Sequence, residues 1–224
     1  MQRPWVVAAT ITTHGETSQM GTARDGESAA EKRIIKVNGE KLRGHAALTQ
    51  HVCIQWLTPA MDQVFVEGGS ARRKWLDRMV YGFDVEHAAR VTAYESAMRE
   101  RNRLLADGMR MADPYWLGVL EQQMAEHAIA MTLSRQQTLA RLQEHLSDSG
   151  NAFPHAILAL EGLVENWLCQ GLSALEVESL FAGRLMELRG VDGGSGRTSA
   201  GPHRSQLVVI HSEKNMPAEM CSTG

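Results

Sequence analysis

Apolar and polar residues change their period along the chain. Up to about residue 66 the apolar positions fall in short β-branched runs. WVVAATITTH, ending at His14-Gly15, predicts a strand. EKRIIKVNGEKL predicts two extended segments around Asn38-Gly39, a type I′ hairpin pair. HVCIQWLTP predicts a short buried strand closed by Pro59. GETSQMGTARDGESAA is polar and Gly-rich and predicts a loop or loose hairpin.

From Gly69 the period becomes helical. SARRKWLDRMVYGFD carries Trp75, Leu76 and Met79 at helical spacing, with Ser70 as the expected N-cap. In the next helix Val85, Ala88, Val91, Tyr94 or Glu95, Met98 and Leu105 trace a stripe that ends at Asp107-Gly108. Asp113-Pro114 opens a long helix whose stripe is Leu117, Leu120, Met124, Ala128, Met131, Leu139, Leu142 and Leu146. Two helices of roughly 25 and 32 residues joined by a short turn lie antiparallel and reach about 35–50 Å. Their narrow Ala- and Met-rich stripes suit a two-helix arm better than the centre of a large core.

AFPHAILALEGLVENW begins extended and ends helical. SALEVESLFAGRLMELRG predicts a helix with Ser173 as cap, Glu176 completing the capping box and Gly190 past its end. GVDGGSGRTSAGPHR predicts a loop leading into the strand SQLVVIHSEK. The expected fold class is α/β (α+β): a β-rich part at 1–68, a helical part with a two-helix arm at 69–190, and a return to the sheet at 191–224.

Composition adds little to this plan. The 224 residues include 43% hydrophobic and 22% charged side chains, and the net charge is -3, so no global basic field argues for nucleic acid. Cys53, Cys169 and Cys221 are widely spaced, which suits a reducing cytosol rather than a disulfide framework. No apolar run approaches a membrane span. The scattered histidines form no metal-binding spacing, and no metal site is expected.

Three basic patches remain. Arg72, Arg73, Lys74 and Arg78 share about two helical turns, and Arg99, Arg101, Arg103 and Arg110 form a second group. Both have acidic neighbours in Asp77, Glu100 and Asp107. The stretch from Gly193 to Ser212 contains Arg197, His203, Arg204 and His211 with no acidic residue, so it is the better candidate for a phosphate backbone. GGSGRTS at 193–199 is a poor nucleotide loop. Arg197 replaces the lysine, a helix precedes it and Gly201-Pro202 follows, so it reads as a flexible connector. No other stretch supplies a Walker A loop, and binding of ATP by this chain alone is not expected.

Several stretches occur together in one known family. These are W-L-T-P-x-M-D at 56–62, G-x-x-x-R-R-x-x-L-D at 68–77, AYESAMRERNRLL at 93–105, GRTSAGPHRSQL at 196–207 and MPAEMCSTG at 216–224. From about Trp5 onward the chain resembles the RecF family of bacterial DNA replication and repair proteins. Gln206 departs from the aspartate usual there. The resemblance implies an ATPase lobe of the ABC/SMC class with an inserted helical lobe, and ATP with Mg2+ as cofactors. It also implies an ATP-dependent homodimer, binding to gapped DNA or single-strand/double-strand junctions, RecO and RecR as partners, roles in recombination and the SOS response, and a cytoplasmic location. Ser222 and Gly224 match the signature segment that touches the γ-phosphate of ATP held by a partner subunit. Arg197, His203, Arg204, Arg72 and Arg73 become candidate DNA or nucleotide contacts. In the family the Walker A loop precedes the matched stretch and the Walker B aspartate follows it. The chain is therefore expected to be an internal part of a longer protein, with an incomplete ATPase lobe. The residues alone leave open a second reading, a stand-alone module that binds partners or DNA through its helical hairpin.

Overall fold

The computed structural model describes residues 5–13, 15–24, 33–42, 52, 54–56, 58–107, 113–148 and 155–221. Ser222 and Gly224 lie outside them. The chain forms two units, 1–54 and 55–224.

The first unit is an antiparallel meander of β1 (Trp5–Thr13), β2 (Glu16–Arg24), β3 (Arg33–Val37) and β4 (Glu40–Leu42), in that spatial order. Its register runs from Trp5 opposite Arg24 to Thr13 opposite Glu16, and β3 turns back with Val37 opposite Glu40. The turn is the expected Asn38-Gly39 pair, with φ of 50° and 86°. Positive φ at both central residues gives a twist that matches the strands. Asn38 also accepts a hydrogen bond at Oδ1 from the Gln19 N–H at 2.8 Å. Ile35 and Val37, two apart on one face, are buried. The polar stretch from Glu16 to Arg24, expected as a loop or loose hairpin, is a full strand that pairs antiparallel with β1. Its backbone is fixed by ladders to β1 and β3 on either side, and that pairing overrides its weak propensity.

The second unit is mainly helical. After a 3-10 segment, Pro59–Phe65, come α1 (Gly69–Val80), α2 (His87–Ala106) and α3 (Pro114–Asp148). Then follow β5 (Ala156–Glu161), α4 (Leu163–Cys169), α5 (Ala174–Glu187), α6 (Arg189–Ser195), β6 (Gln206–His211) and β7 (Met216–Pro217). The second sheet is antiparallel in the order β5-β6-β7.

The region of HVCIQWLTP is not a buried strand among its described residues: Ile54 and Trp56 are exposed. Arg78 stacks over the Trp56 ring at 4.7 Å. The N-cap of α1 is Gly68, and the expected cap Ser70 lies inside the helix. At α3 the Asp113 carboxylate accepts from the Tyr115 N–H at 2.9 Å, so the Asp-Pro start behaves as read. Ser173 and Glu176 form the capping box of α5. Gly190, however, does not end that segment. It lies in α6, which closes with Gly196 in the left-handed region.

Helices α2 and α3 run antiparallel: Arg101 near the end of α2 meets Glu121 near the start of α3, while Asp84, ahead of α2, takes a hydrogen bond from Ser134. They do not stand apart from a core. Leu120, Met124, Ala128 and Met131 of α3 pack with Tyr94 and Ala97 of α2, Val164 of α4 and Val177, Phe181 and Leu185 of α5. The small Ala residues let these helices approach closely. A second cluster joins Leu76 and Val80 of α1 to Leu139 of α3 and Leu207 of β6. The sheet is thereby fixed to the helices, and the segment 196–205 is held between them.

Candidate nucleic-acid interface

GGSGRTS at 193–199 is expected to be a flexible connector; its first three residues instead end α6, and the rest opens the loop 196–205, GRTSAGPHRS. That loop is anchored at nearly every position. The anchors are charged and polar side chains on the inward faces of the helices.

The first anchor is Arg101, whose side chain is fully buried. Its Nε donates to Glu121 at 3.0 Å, Nη1 to Asp192 at 2.8 Å and to Thr198 Oγ1 at 3.2 Å, and Nη2 to the Leu185 carbonyl at 2.7 Å. Arg189 adds a second guanidinium on Glu121, at 2.5 Å and 2.9 Å. Two guanidiniums thus face two buried carboxylates, so the desolvated charges are paired and hydrogen-bonded. Asp192 also accepts from the Ser199 N–H at 3.0 Å and hydroxyl at 2.7 Å. Thr198 donates its hydroxyl to Asn102 at 2.7 Å.

The second anchor holds the Gly-Pro-His-Arg turn. Gly201 has φ +130°, and a Cβ there would overlap the Tyr94 hydroxyl and lie 2.9 Å from Phe181. Only glycine fits. Arg135 donates to the Pro202 carbonyl at 2.8 Å and grips Asp77 through its other nitrogens. His203 bonds Tyr94 at 2.8 Å through Nδ1 and the Thr198 carbonyl at 3.0 Å through Nε2. Burial, with Arg204 and Arg73 adding to it, pushes the imidazole below its ordinary value despite the carbonyl hydrogen bond and Asp192. Ser205 donates its hydroxyl to buried Glu165 at 2.5 Å, and its carbonyl accepts from Arg73 at 2.9 Å.

The candidates read from sequence therefore separate. Arg197 and Arg204 are exposed, and neither guanidinium has a hydrogen bond or ion pair among the described residues. His203 faces inward with both ring nitrogens engaged. Arg73 is turned onto the loop backbone. Burial and the charges of Arg135, Arg204 and Arg72 hold its guanidinium below its ordinary value, against the pull of Asp77. Arg72 ties three segments together: its Nη1 reaches the Phe65 carbonyl at 3.0 Å, the Glu67 carbonyl at 3.1 Å and the Glu219 carboxylate at 3.3 Å. Glu219 lies three residues before Ser222. Gln206 lies over Gly69, where its amide leaves no room for a Cβ.

Sequence reasoning missed Glu121, Arg135 and Asp192, and it set Arg101 in the second basic group, whereas its side chain is fully buried. Three of these four carried a signal. Arg135 falls on the α3 stripe between Met131 and Leu139, Glu121 four after Leu117, and Arg101 seven after Tyr94. A charged side chain at a core-facing position demands an internal partner. Asp192 carried no such mark. Among the described residues no group of three His, Cys, Asp or Glu side chains is gathered to hold a metal ion, and no helix is long and apolar enough to cross a membrane.

Fold and site define a mixed helix-and-sheet protein in which a helical layer clamps a basic loop beside a small antiparallel sheet. The fold is similar to that of two solved structures of the recombination mediator protein RecF in the RecFOR pathway. RecF-ATP superposes with a TM-score of 0.82 at 18% identity over 99% of this chain and 59% of that one. RecF-ATPrS gives 0.79 at 19% identity over 93% and 56%. In sequence, the DNA replication and repair protein RecF of Rhizobium rhizogenes is 42% identical over 211 residues, 93% of this chain and 55% of the relative. That of Rhizobium meliloti is 41% identical over 208 residues, 92% and 54%. No family model matches the chain. The chain belongs to the RecF family, and it spans about half the length of the curated relatives it matches.

Proposed function

We propose that this chain is the part of a RecF-like DNA replication and repair protein that presents a rigid basic loop to DNA. One observation carries the reading. Arg197 and Arg204 stand free at the two ends of a loop whose Thr198, Ser199, Pro202 and His203 are hydrogen-bonded to the helices or across the turn. A backbone fixed in advance presents the two guanidiniums to phosphates without the entropy of ordering the loop itself. In this reading 1–68 and 191–224 belong to the ATPase lobe and 69–190 to the inserted helical lobe. Ser222 and Gly224 would touch the γ-phosphate of ATP held with Mg2+ by a second subunit of a homodimer. Arg72, through Glu219, sets the approach to that segment. The DNA is gapped or carries a single-strand/double-strand junction, and RecO and RecR act with the protein.

The test is fluorescence anisotropy of the chain with a labelled gapped duplex over a salt series. Binding should weaken with salt, and Arg197→Ala and Arg204→Ala should each weaken it across sequences and reduce the log–log salt slope by about 1. Absence of salt-dependent binding, or variants indistinguishable from the parent, would overturn the reading. The chain alone should turn over no ATP, and turnover that survives Ser222→Ala would contradict the assigned role.

A further inference from the structure

We infer that Tyr94 is a positioning residue for DNA binding: its hydrogen bond to His203 holds the ring as a staple across the loop and so fixes the backbone from which Arg204 projects. The inference rests on the loop being the DNA contact and adds a residue of α2 to it.

The chemistry is set by the partners. The Thr198 carbonyl can only accept, so Nε2 of His203 carries the proton. In a neutral ring Nδ1 is then an acceptor, and the Tyr94 hydroxyl at 2.8 Å is the donor. Tyr94 is fully buried, and burial pushes its phenol well above the ordinary value, so it remains a donor. The imidazole thus spans from Thr198 on one side of the turn to α2 on the other. Gly201 lies under the Tyr94 hydroxyl, so phenol, glycine and imidazole close into one contact.

The groups facing His203 are few. Tyr94 comes from α2, Arg73 from α1, Asp192 from α6, and Arg204 is its neighbour. Burial and the two arginines disfavour imidazolium; the Thr198 carbonyl and Asp192 favour it. A proton added at Nδ1 would reverse the bond to Tyr94, whose oxygen turns to accept, while Nε2–H still donates to the Thr198 carbonyl.

Three variants of the full chain test this: Tyr94→Phe, His203→Ala and His203→Gln. DNA anisotropy is read beside imidazole ¹⁵N shifts and thermal unfolding. Tyr94→Phe removes the donor and leaves Nδ1 unsatisfied, so affinity should fall roughly threefold to tenfold. His203→Ala should lose affinity likewise. His203→Gln, which can donate and accept at once, should restore most of it. The parent ring should report a neutral Nε2–H tautomer at pH 7.

Parent-like affinity in folded Tyr94→Phe would overturn the inference. So would a parent spectrum showing the Nδ1–H tautomer. Failure of the broader reading looks different: the parent itself then binds no DNA. The tautomer still reports whether the staple exists, and its presence without DNA binding would sink the positioning role.

Discussion

Arg135 holds Asp77 with two nitrogens, Nε to Oδ1 at 2.8 Å and Nη2 to Oδ2 at 2.9 Å, and gives its third to the Pro202 carbonyl at 2.8 Å. One side chain therefore joins α1, α3 and the basic loop. His87 completes the cluster, 2.8 Å from the same Asp77 oxygen. Both partners are largely desolvated, so removing Arg135 leaves the Asp77 carboxylate with His87 alone and no guanidinium. Arg135→Ala should lower unfolding free energy by about 3–5 kcal/mol. Arg135→Lys should recover only part, because an ammonium cannot make the planar two-point contact. Urea unfolding followed by helical ellipticity measures both, and a loss under about 1 kcal/mol for the alanine variant would contradict the role.

The same cluster sets an acid limb. Burial pushes the Asp77 carboxyl up, but hydrogen bonds from His87 and Arg135 and the Arg135 charge outweigh it, and the net shift is downward from 3.8. The folded value lies below the unfolded one, so the native state binds the proton more weakly. The stabilisation is complete above about pH 5 and is lost as pH falls through 4 and below. Melting temperatures measured from pH 7 to pH 3 should fall over that window. Asp77→Asn should melt lower at neutral pH and flatten the limb, and a limb of unchanged steepness would contradict the assignment.

Gly201 offers a prediction of another kind. A methyl group there meets backbone strain at φ +130° and overlaps Tyr94 and Phe181. Gly201→Ala should cost at least about 2 kcal/mol and loosen the Tyr94–His203 contact. Hydrogen exchange checks this locally. The amides of Arg204 and Ser205, bonded to the Gly201 and Pro202 carbonyls, should lose protection first.

What could be read from the sequence divides along physical lines. The Asn38-Gly39 hairpin, the Asp113-Pro114 start and the Ser173–Glu176 box are local chemistry, and each occurs as read. The α3 stripe was legible because one face of a long helix is buried. Strand β2 was not. Glu16–Arg24 is polar, and its extended state is imposed by neighbours on both sides. The anchored loop was hidden most deeply. Glycines, serines and a proline look flexible in isolation, and what orders them comes from Tyr94, Arg101 and Arg135, residues 67 to 109 positions away in sequence. Charges on the inward faces of α2 and α3 were the available sign that something polar had to meet them.

The Arg101 network predicts unequal costs among residues that look alike in sequence. Arg101 and Arg103 are two apart on α2. Arg101 is fully buried and joins Glu121, Asp192, Thr198 and the Leu185 carbonyl. Arg103 is exposed and pairs with Glu100 and Asp107 on its own helix. Arg101→Met leaves Asp192 with only the Ser199 donors and the Leu185 carbonyl without its partner, and should cost about 3–5 kcal/mol. Arg103→Met should leave the unfolding midpoint where it is, because both of its pairs are solvated. A double-mutant cycle of Arg101→Met with Asp192→Asn should show strong coupling, since Asn at 192 no longer carries a buried charge needing a guanidinium. Additive losses in that cycle would mean that Asp192 serves the Ser199 turn alone and that the helical layer does not reach the loop through Arg101.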